Sequence, residues 1–229
     1  MAKKHLKTLT APVSWPIKRK GQTFVIRPLP GKPFEMSIPL ALILKDMLGY
    51  CKTSKEVRAL LNDKEIFVDG KRRKEEKFLV GVMDVLSIPL TKENYRMIIN
   101  KHGKLELFKI DEAAAGKKIL KIIGKSTLKK GTMQLNLSDG RNIIVKEDKC
   151  KIGDSVHMKV PSQEIIDYLK LEKGSFVYIT KGGHTGFYGV VEEINGDFLK
   201  VKSEDISFIT PKNTVFVVTM NKPLKKTDE

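Results

Sequence analysis

From residue 92 to residue 220 the chain alternates apolar and polar residues with period two, in segments too short for anything but strands, and this most limits its fold. Tyr95 to Ile99, Leu105 to Ile110, Lys117 to Ile123, Thr132 to Leu137, Asn142 to Val145 and Ser155 to Val160 are predicted strands of a small antiparallel barrel. Gly103, Gly131 and Asp139-Gly140 supply turns between some of them, and Ser162 to Leu169 is expected as a short helix closing the barrel. Ser175 to Thr180, Phe187 to Ile194, Phe198 to Lys202, Ile206 to Thr210 and Thr214 to Met220 predict a second, tight five-stranded barrel. Asn195-Gly196 predicts a type I′ turn between its second and third strands.

Residues 36 to 88 follow a different rule. Leu40, Ile43, Leu44, Met47 and Leu48 recur at helical spacing, with Pro39 at the first turn and Gly49 to end the helix. A second helix opens on Thr53-Ser54-Lys55-Glu56, a capping box, and takes Val57, Leu60 and Leu61 as its apolar face. Lys52, Lys55 and Arg58 lie off that stripe. Lys52 and Lys55 also stand where the helix dipole disfavours a cation, so a phosphate docked there, held by free backbone N–H groups and two lysines, explains them better than helix stability does. The strand Ile66 to Val68 then turns at Asp69-Gly70, a two-residue hairpin signal, into Lys71-Arg72-Arg73-Lys74.

The charge balance names the class of partner. Among 229 residues, 43 Lys and Arg against 27 Asp and Glu leave a net +16, which calls for a polyanion. Half of that excess lies in the first 34 positions, where Lys3, Lys4, Lys7, Lys18, Arg19, Lys20, Arg27 and Lys32 meet no acidic residue. Pro12, Pro16, Pro28, Pro30 and Pro33 forbid a continuous helix there, so the segment is expected as an extended arm, mobile until it meets the polyanion. Trp15 and Phe24 offer aromatic faces for a base or a crevice. The longest apolar run, Ile38 to Leu44, is far below the roughly 20 residues of a spanning helix, and no secretory signal precedes it, so no membrane partner and a cytoplasmic location are expected. Cys51 and Cys150 form no metal-binding or disulfide pattern, and no cofactor is indicated.

Between the first two strands of the last barrel lies Lys181-Gly182-Gly183-His184-Thr185-Gly186, whose glycines let backbone N–H groups approach a phosphate. It opens a strand and not a helix, so it is neither a dinucleotide fingerprint nor a P-loop. His184 has no nucleophile or carboxylate at motif spacing and is read as stabilising the turn or touching RNA. The adjacent carboxylates Glu75-Glu76 and Glu192-Glu193 would point to opposite faces of a strand. No catalytic residue and no small-molecule substrate are expected.

These modules, in this order, resemble the S4e family of archaeal and eukaryotic small-subunit ribosomal proteins. The resemblance rests on Lys3-Lys4-His5-Leu6-Lys7, Ala11-Pro12 with Trp15, and Arg27-Pro28 in the arm; on Leu60-Leu61, Val68-Asp69-Gly70-Lys71 and Met83 to Ile88, similar to the S4 RNA-binding fold; and on Gly182 to Gly186 with Gly189-Val190-Val191, similar to a KOW motif. It implies an α+β protein with a basic arm (1–35), an S4-like module (36–90), a central antiparallel β-barrel (91–172) and an SH3-like KOW barrel with a basic tail (173–229). It further implies a non-enzymatic constituent of the ribosome that binds small-subunit ribosomal RNA beside neighbouring ribosomal proteins. The RNA contacts carried over are Lys3, Lys4, Lys7, Lys18, Arg19, Lys20 and Arg27 in the arm, then Lys52, Thr53, Lys55, Arg58, Lys71, Arg72 and Arg73, then Lys181, Gly182, Gly183, His184 and Thr185. A ribosome-biogenesis or transcription-elongation factor is the alternative, and the RNA-gripping part of an RNA-modifying enzyme a further one, although no large catalytic domain fits in the remaining barrels.

Overall fold

The computed structural model describes residues 5–63, 65–128, 131–145, 150–203 and 206–218, so Lys3, Lys4 and the basic tail lie outside the described residues. The chain divides into two compact units, Met1–Ile99 with Gly103–Gly116, and Asn100–His102 with Lys117–Glu229. No helix among the described residues is long and apolar enough to cross a membrane.

In the first unit β1 (Leu6–Lys7) pairs with β2 (Phe24–Val25). β3 (Ser37–Pro39) leads into α1, one α-helical turn (Leu40–Leu42) that continues as a π turn over Ile43–Met47. The π turn fits an extra residue into the helical repeat, so the apolar stripe drifts: Leu40, Ile43 and Leu44 are fully buried, whereas Met47 and Leu48 are half-buried. Gly49, at φ +69, ends the helix as expected and lets the Tyr50 N–H donate back to the Leu44 carbonyl at 2.9 Å. α2 (Ser54–Asp63) buries Val57 and Leu61, with Leu60 at the margin. β4 (Phe67–Val68), β5 (Lys71–Arg72), β6 (Leu79–Gly81), β7 (Val85–Ile88), β8 (Glu93–Ile99) and β9 (Leu105–Ile110) complete the unit with the short α3 (Glu112–Ala115).

Two expectations for this unit are corrected. β8 and β9 do not join the central barrel; they extend the sheet β5-β4-β7-β8-β9, because the Val85 to Ile88 segment offers β8 a full antiparallel register. Nor are residues 5–34 an extended arm. Trp15 is fully buried and its Nε1 donates to the carbonyls of Ser37 at 2.7 Å and Phe34 at 3.1 Å. Lys32 forms an ion pair with the buried Asp84, which also accepts the Gly81 N–H at 2.8 Å. Apolar burial of one indole and satisfied polar groups hold the segment where composition alone predicted an unpacked chain.

The second unit holds two five-stranded antiparallel sheets. One has the order β12-β11-β10-β13-β14, formed by β10 (Lys117–Thr127), β11 (Met133–Leu137), β12 (Asn142–Val145), β13 (Ser155–Lys159) and β14 (Ile165–Leu169). β10 pairs with β13 along its first half and with β11 along its second, and the register shift between Ile122 and Gly124 marks where it bends from one to the other. Leu120, Ile122, Leu135, Leu137, Val156 and Met158 close on the resulting core. β14 stands where a helix was expected. Gln163, at φ +63, turns the chain straight back, so Met158 pairs with Ile165 and Ser155 with Leu169.

The other sheet, ordered β18-β17-β16-β15-β19, comprises β15 (Phe176–Ile179), β16 (Tyr188–Asn195), β17 (Phe198–Lys202), β18 (Ser207–Pro211) and β19 (Val215–Val217), close to the predicted strands. Its turn is displaced by one residue from the expected one. Asn195 pairs with Phe198, so Gly196 and Asp197 form the loop, and only Gly196 has a positive φ, as a type II′ turn requires.

Candidate nucleic-acid interface

The start of α2 is built as its sequence predicts. Thr53 Oγ1 accepts the Glu56 N–H at 3.3 Å, and the Glu56 carboxylate accepts the Lys52 N–H at 2.7 Å and the Thr53 hydroxyl at 2.9 Å. These bonds hold the Glu56 carboxyl below its usual range, the Lys52 N–H first among them and the Thr53 hydroxyl next. The two N–H groups that a capping box claims, those of Lys52 and Glu56, are thus satisfied as the sequence pattern predicts. An anion at this helix start would also meet the exposed ammonium groups of Lys52 and Lys55, the first of which attracts the Glu56 carboxylate.

The β4–β5 hairpin turns on Asp69 at φ +52 and Gly70 at φ +70, the type I′ geometry its dipeptide predicts. Asp69 is 2% exposed and its carboxylate accepts the Val85 N–H at 3.0 Å, so the hairpin is anchored to β7 while Lys71 and Lys74 stay exposed. The other cations of this region are partly engaged within the fold. Arg58 holds the buried Glu76 carboxylate at 2.9 Å yet keeps 63% of its side chain in solvent, and that hydrogen bond pushes its pKa up. Arg72 donates to the Asn62 carbonyl at 3.0 Å and faces Glu65 at 3.6 Å. Arg73 lies over the Phe78 ring at 4.2 Å, half-buried. The Arg58–Glu76 and Arg72–Asn62 contacts lay the segment after the hairpin against α2, which brings the two basic elements onto neighbouring surface. Arg72 and Arg73 thereby act first as struts, and Lys52, Lys55 and Lys71 carry the unspent charge.

In the arm, Lys7, Lys18 and Lys20 are exposed and Arg27 is half-buried. Arg19 is reassigned: its guanidinium donates to the carbonyls of Thr8 at 2.7 Å, Ala11 at 2.9 Å and Pro12 at 2.5 Å. The Thr8 and Pro12 carbonyls already accept the Ala11 and Trp15 N–H groups at 3.3 and 3.2 Å, and the five-donor guanidinium fork takes up their remaining acceptor capacity together with the Ala11 carbonyl. Nothing in the local sequence separates Arg19 from Lys18 and Lys20.

In the last sheet, Lys181, Gly182 and Gly183 are exposed at the tip between β15 and β16. Thr185 closes the loop by donating its hydroxyl to the Gly182 carbonyl at 2.6 Å. His184 stacks on Phe208 with ring centroids 4.1 Å apart and meets Phe187 edge-on, so the turn-stabilising reading is the one the geometry favours. A side chain at Gly183 would enter open space, whereas a Cβ at Gly189 would lie 2.5 Å from the Lys202 carbonyl oxygen and from Val201 Cγ1.

Lys118 and Lys121 are buried cations that the sequence pattern left on a solvated face. Lys118, fully buried, lies 3.1 Å from the Asp139 carboxylate, which Arg141 also contacts at 3.0 Å. Lys121, 6% exposed, donates to the carbonyls of Lys212 at 2.7 Å and Val215 at 2.8 Å. Lys118 stands in phase with the core residues Leu120 and Ile122, a signal that was available. Lys121 is buried by β19, far off in sequence, and carries no local sign.

Comparison with known proteins fits this architecture. Residues 2–32 match the RS4NT domain, 39–86 the S4 domain and 91–165 the ribosomal family S4e. The small ribosomal subunit protein eS4 of Methanothermobacter thermautotrophicus is 40% identical over 225 residues, covering 95% of this chain and 93% of its own length. The protein of that name from Methanocaldococcus jannaschii is 39% identical over 239 residues, covering 98% and 97%. The crystal structure of the 30S ribosomal protein S4e from Thermoplasma acidophilum, 32% identical, matches with a TM-score of 0.71 over 82% of this chain and 97% of that one. Near full-length kinship with archaeal relatives, together with the matched S4 domain, shows that this chain belongs to the eS4 family of ribosomal proteins.

Proposed function

We propose that the chain is a structural constituent of the small ribosomal subunit, binding ribosomal RNA and neighbouring ribosomal proteins and supporting assembly and translation without catalysing a reaction. The observation that carries the RNA reading is the group of exposed lysines at the start of α2 and the tip of the β4–β5 hairpin, Lys52, Lys55, Lys71 and Lys74, on elements pinned by the capping box and by Asp69. Rigid elements presenting ammonium groups replace counterions along a phosphate backbone and read little base identity. The exposed tip Lys181 to Gly183, KOW-like in sequence, supplies a second contact. Co-sedimentation with small subunits tests the assignment: after a high-salt wash a constituent stays near one copy per particle, whereas a biogenesis or elongation factor washes off.

Replacing Lys52 or Lys55 with Ala is expected to reduce the salt dependence of RNA binding by about one unit of slope each, with an unchanged circular dichroism spectrum. An unchanged slope would place both outside the contact. Gly183→Ala is expected to weaken RNA binding while leaving the thermal melt where it is, since its Cβ meets nothing. Gly189→Ala, whose Cβ collides with β17, is expected to lower stability by about 1–3 kcal/mol in the same melt.

A further inference from the structure

We propose that the outer face of the β1–β2 ribbon is a stacking platform for an unpaired RNA base, with Phe24 as the platform and Lys7 holding the adjoining phosphate. This rests on the RNA-binding reading above and specifies which part of the RNA this surface takes. Lys7 and Phe24 are directly opposite in the antiparallel register, so both side chains leave the ribbon on one face, and His5, two residues before Lys7, leaves on the same face. The ring centroids of His5 and Phe24 are 5.5 Å apart, and both residues are exposed. The opposite face carries Leu6 and Val25, which are half-buried, so the ribbon has a packed side and a presented side.

An exposed phenylalanine alone means little; its electrostatic setting decides the occupant. Phe24 is 55% exposed in a segment without an acidic residue up to position 34 and with Lys7, Lys18 and Lys20 exposed. The other exposed aromatic residues are set differently. Tyr50 donates its hydroxyl to Glu93 at 2.8 Å, and Phe198 follows Asp197 on a strand whose partner carries Glu193. Phe24 alone of the three combines an open ring with a lysine directly across the ribbon and a stretch of sequence free of carboxylates. A ring flanked by ammonium groups is how proteins hold single strands: the ring takes the base and the cation its phosphate.

The test uses the full chain, fluorescein-labelled oligouridine and a labelled RNA duplex of equal length, read by anisotropy across a salt titration. Phe24→Ala is expected to weaken oligouridine binding about fivefold or more, to leave duplex binding unchanged, and to leave the salt slope unchanged, because stacking releases no counterions. Phe24→Trp should restore oligouridine affinity. Equal loss for both RNAs, a changed slope, or no loss at all would overturn the proposal; no loss would leave Phe24 to a protein neighbour. Lys52→Ala in the same duplex assay separates this outcome from failure of the RNA-binding reading itself.

Discussion

Raising monovalent salt from about 50 to about 200 mM is expected to weaken binding of the full chain to small-subunit ribosomal RNA by roughly a thousand- to a hundred-thousandfold. The size follows from how many lysines the fold exposes. Lys7, Lys18, Lys20, Lys52, Lys55, Lys71, Lys74 and Lys181 are all exposed, whereas Arg19, Lys32, Lys118 and Lys121 are engaged with carbonyls or carboxylates inside the protein. If those eight exposed lysines each neutralise a phosphate, log affinity falls with log salt at a slope of about −6 to −7. Filter binding across the salt range reads the slope directly. A slope near zero would mean that the charged surfaces face something other than a phosphate backbone, whatever the net charge of the chain.

Features governed by neighbours in sequence were legible, and those governed by distant partners were not. The Asp69-Gly70 turn and the Thr53–Glu56 capping box form as read because their geometry is set within a few residues. The Asn195-Gly196 turn slid by one residue because the pairing of β16 with β17, which carries a register shift between Val191 and Glu193, decides which residues are left over for the loop. Ser162 to Leu169 offers β13 a paired edge and becomes β14, so tertiary pairing overrides the local pattern. Period two told that Glu93 to Ile110 is strand but could not say which sheet it joins. Among the candidate contacts, Lys52, Lys55 and Lys71 are exposed, while Arg19, Arg72 and Arg73 are recruited by carbonyls and a ring. Guanidinium groups, with five donors in a plane, are drawn into such internal work more readily than ammonium groups, so a run of mixed cations overstates the charge available to RNA.

Ammonium groups are drawn inside as well, as Lys32, Lys118 and Lys121 show, and Lys121 sets the second large expected effect: between about pH 8 and pH 10.5 the protein gains stability relative to a Lys121→Met variant, by up to about 3 kcal/mol. Burial of the ammonium pushes its pKa down from 10.5 to about 8 in the folded chain. Below about pH 8 the group is charged in both folded and unfolded chains, and the folded chain carries the full desolvation cost. Above that, the folded chain releases the proton while the unfolded chain still holds it, so the unfolded state binds more protons and stability rises with pH until both states are neutral. The neutral amine keeps its donors to the Lys212 and Val215 carbonyls, so the tie from β10 to β19 survives the titration. Methionine has similar length and no proton to lose. Chemical denaturation of both proteins at about pH 7 and about pH 10 therefore isolates the titration, because every other lysine and tyrosine cancels in the difference. Parallel stability curves would show that water reaches the ammonium group and that its burial does not perturb it; a gap widening toward alkaline pH would show a cation held inside a basic protein as a structural rivet, withdrawn from the charge that RNA can meet.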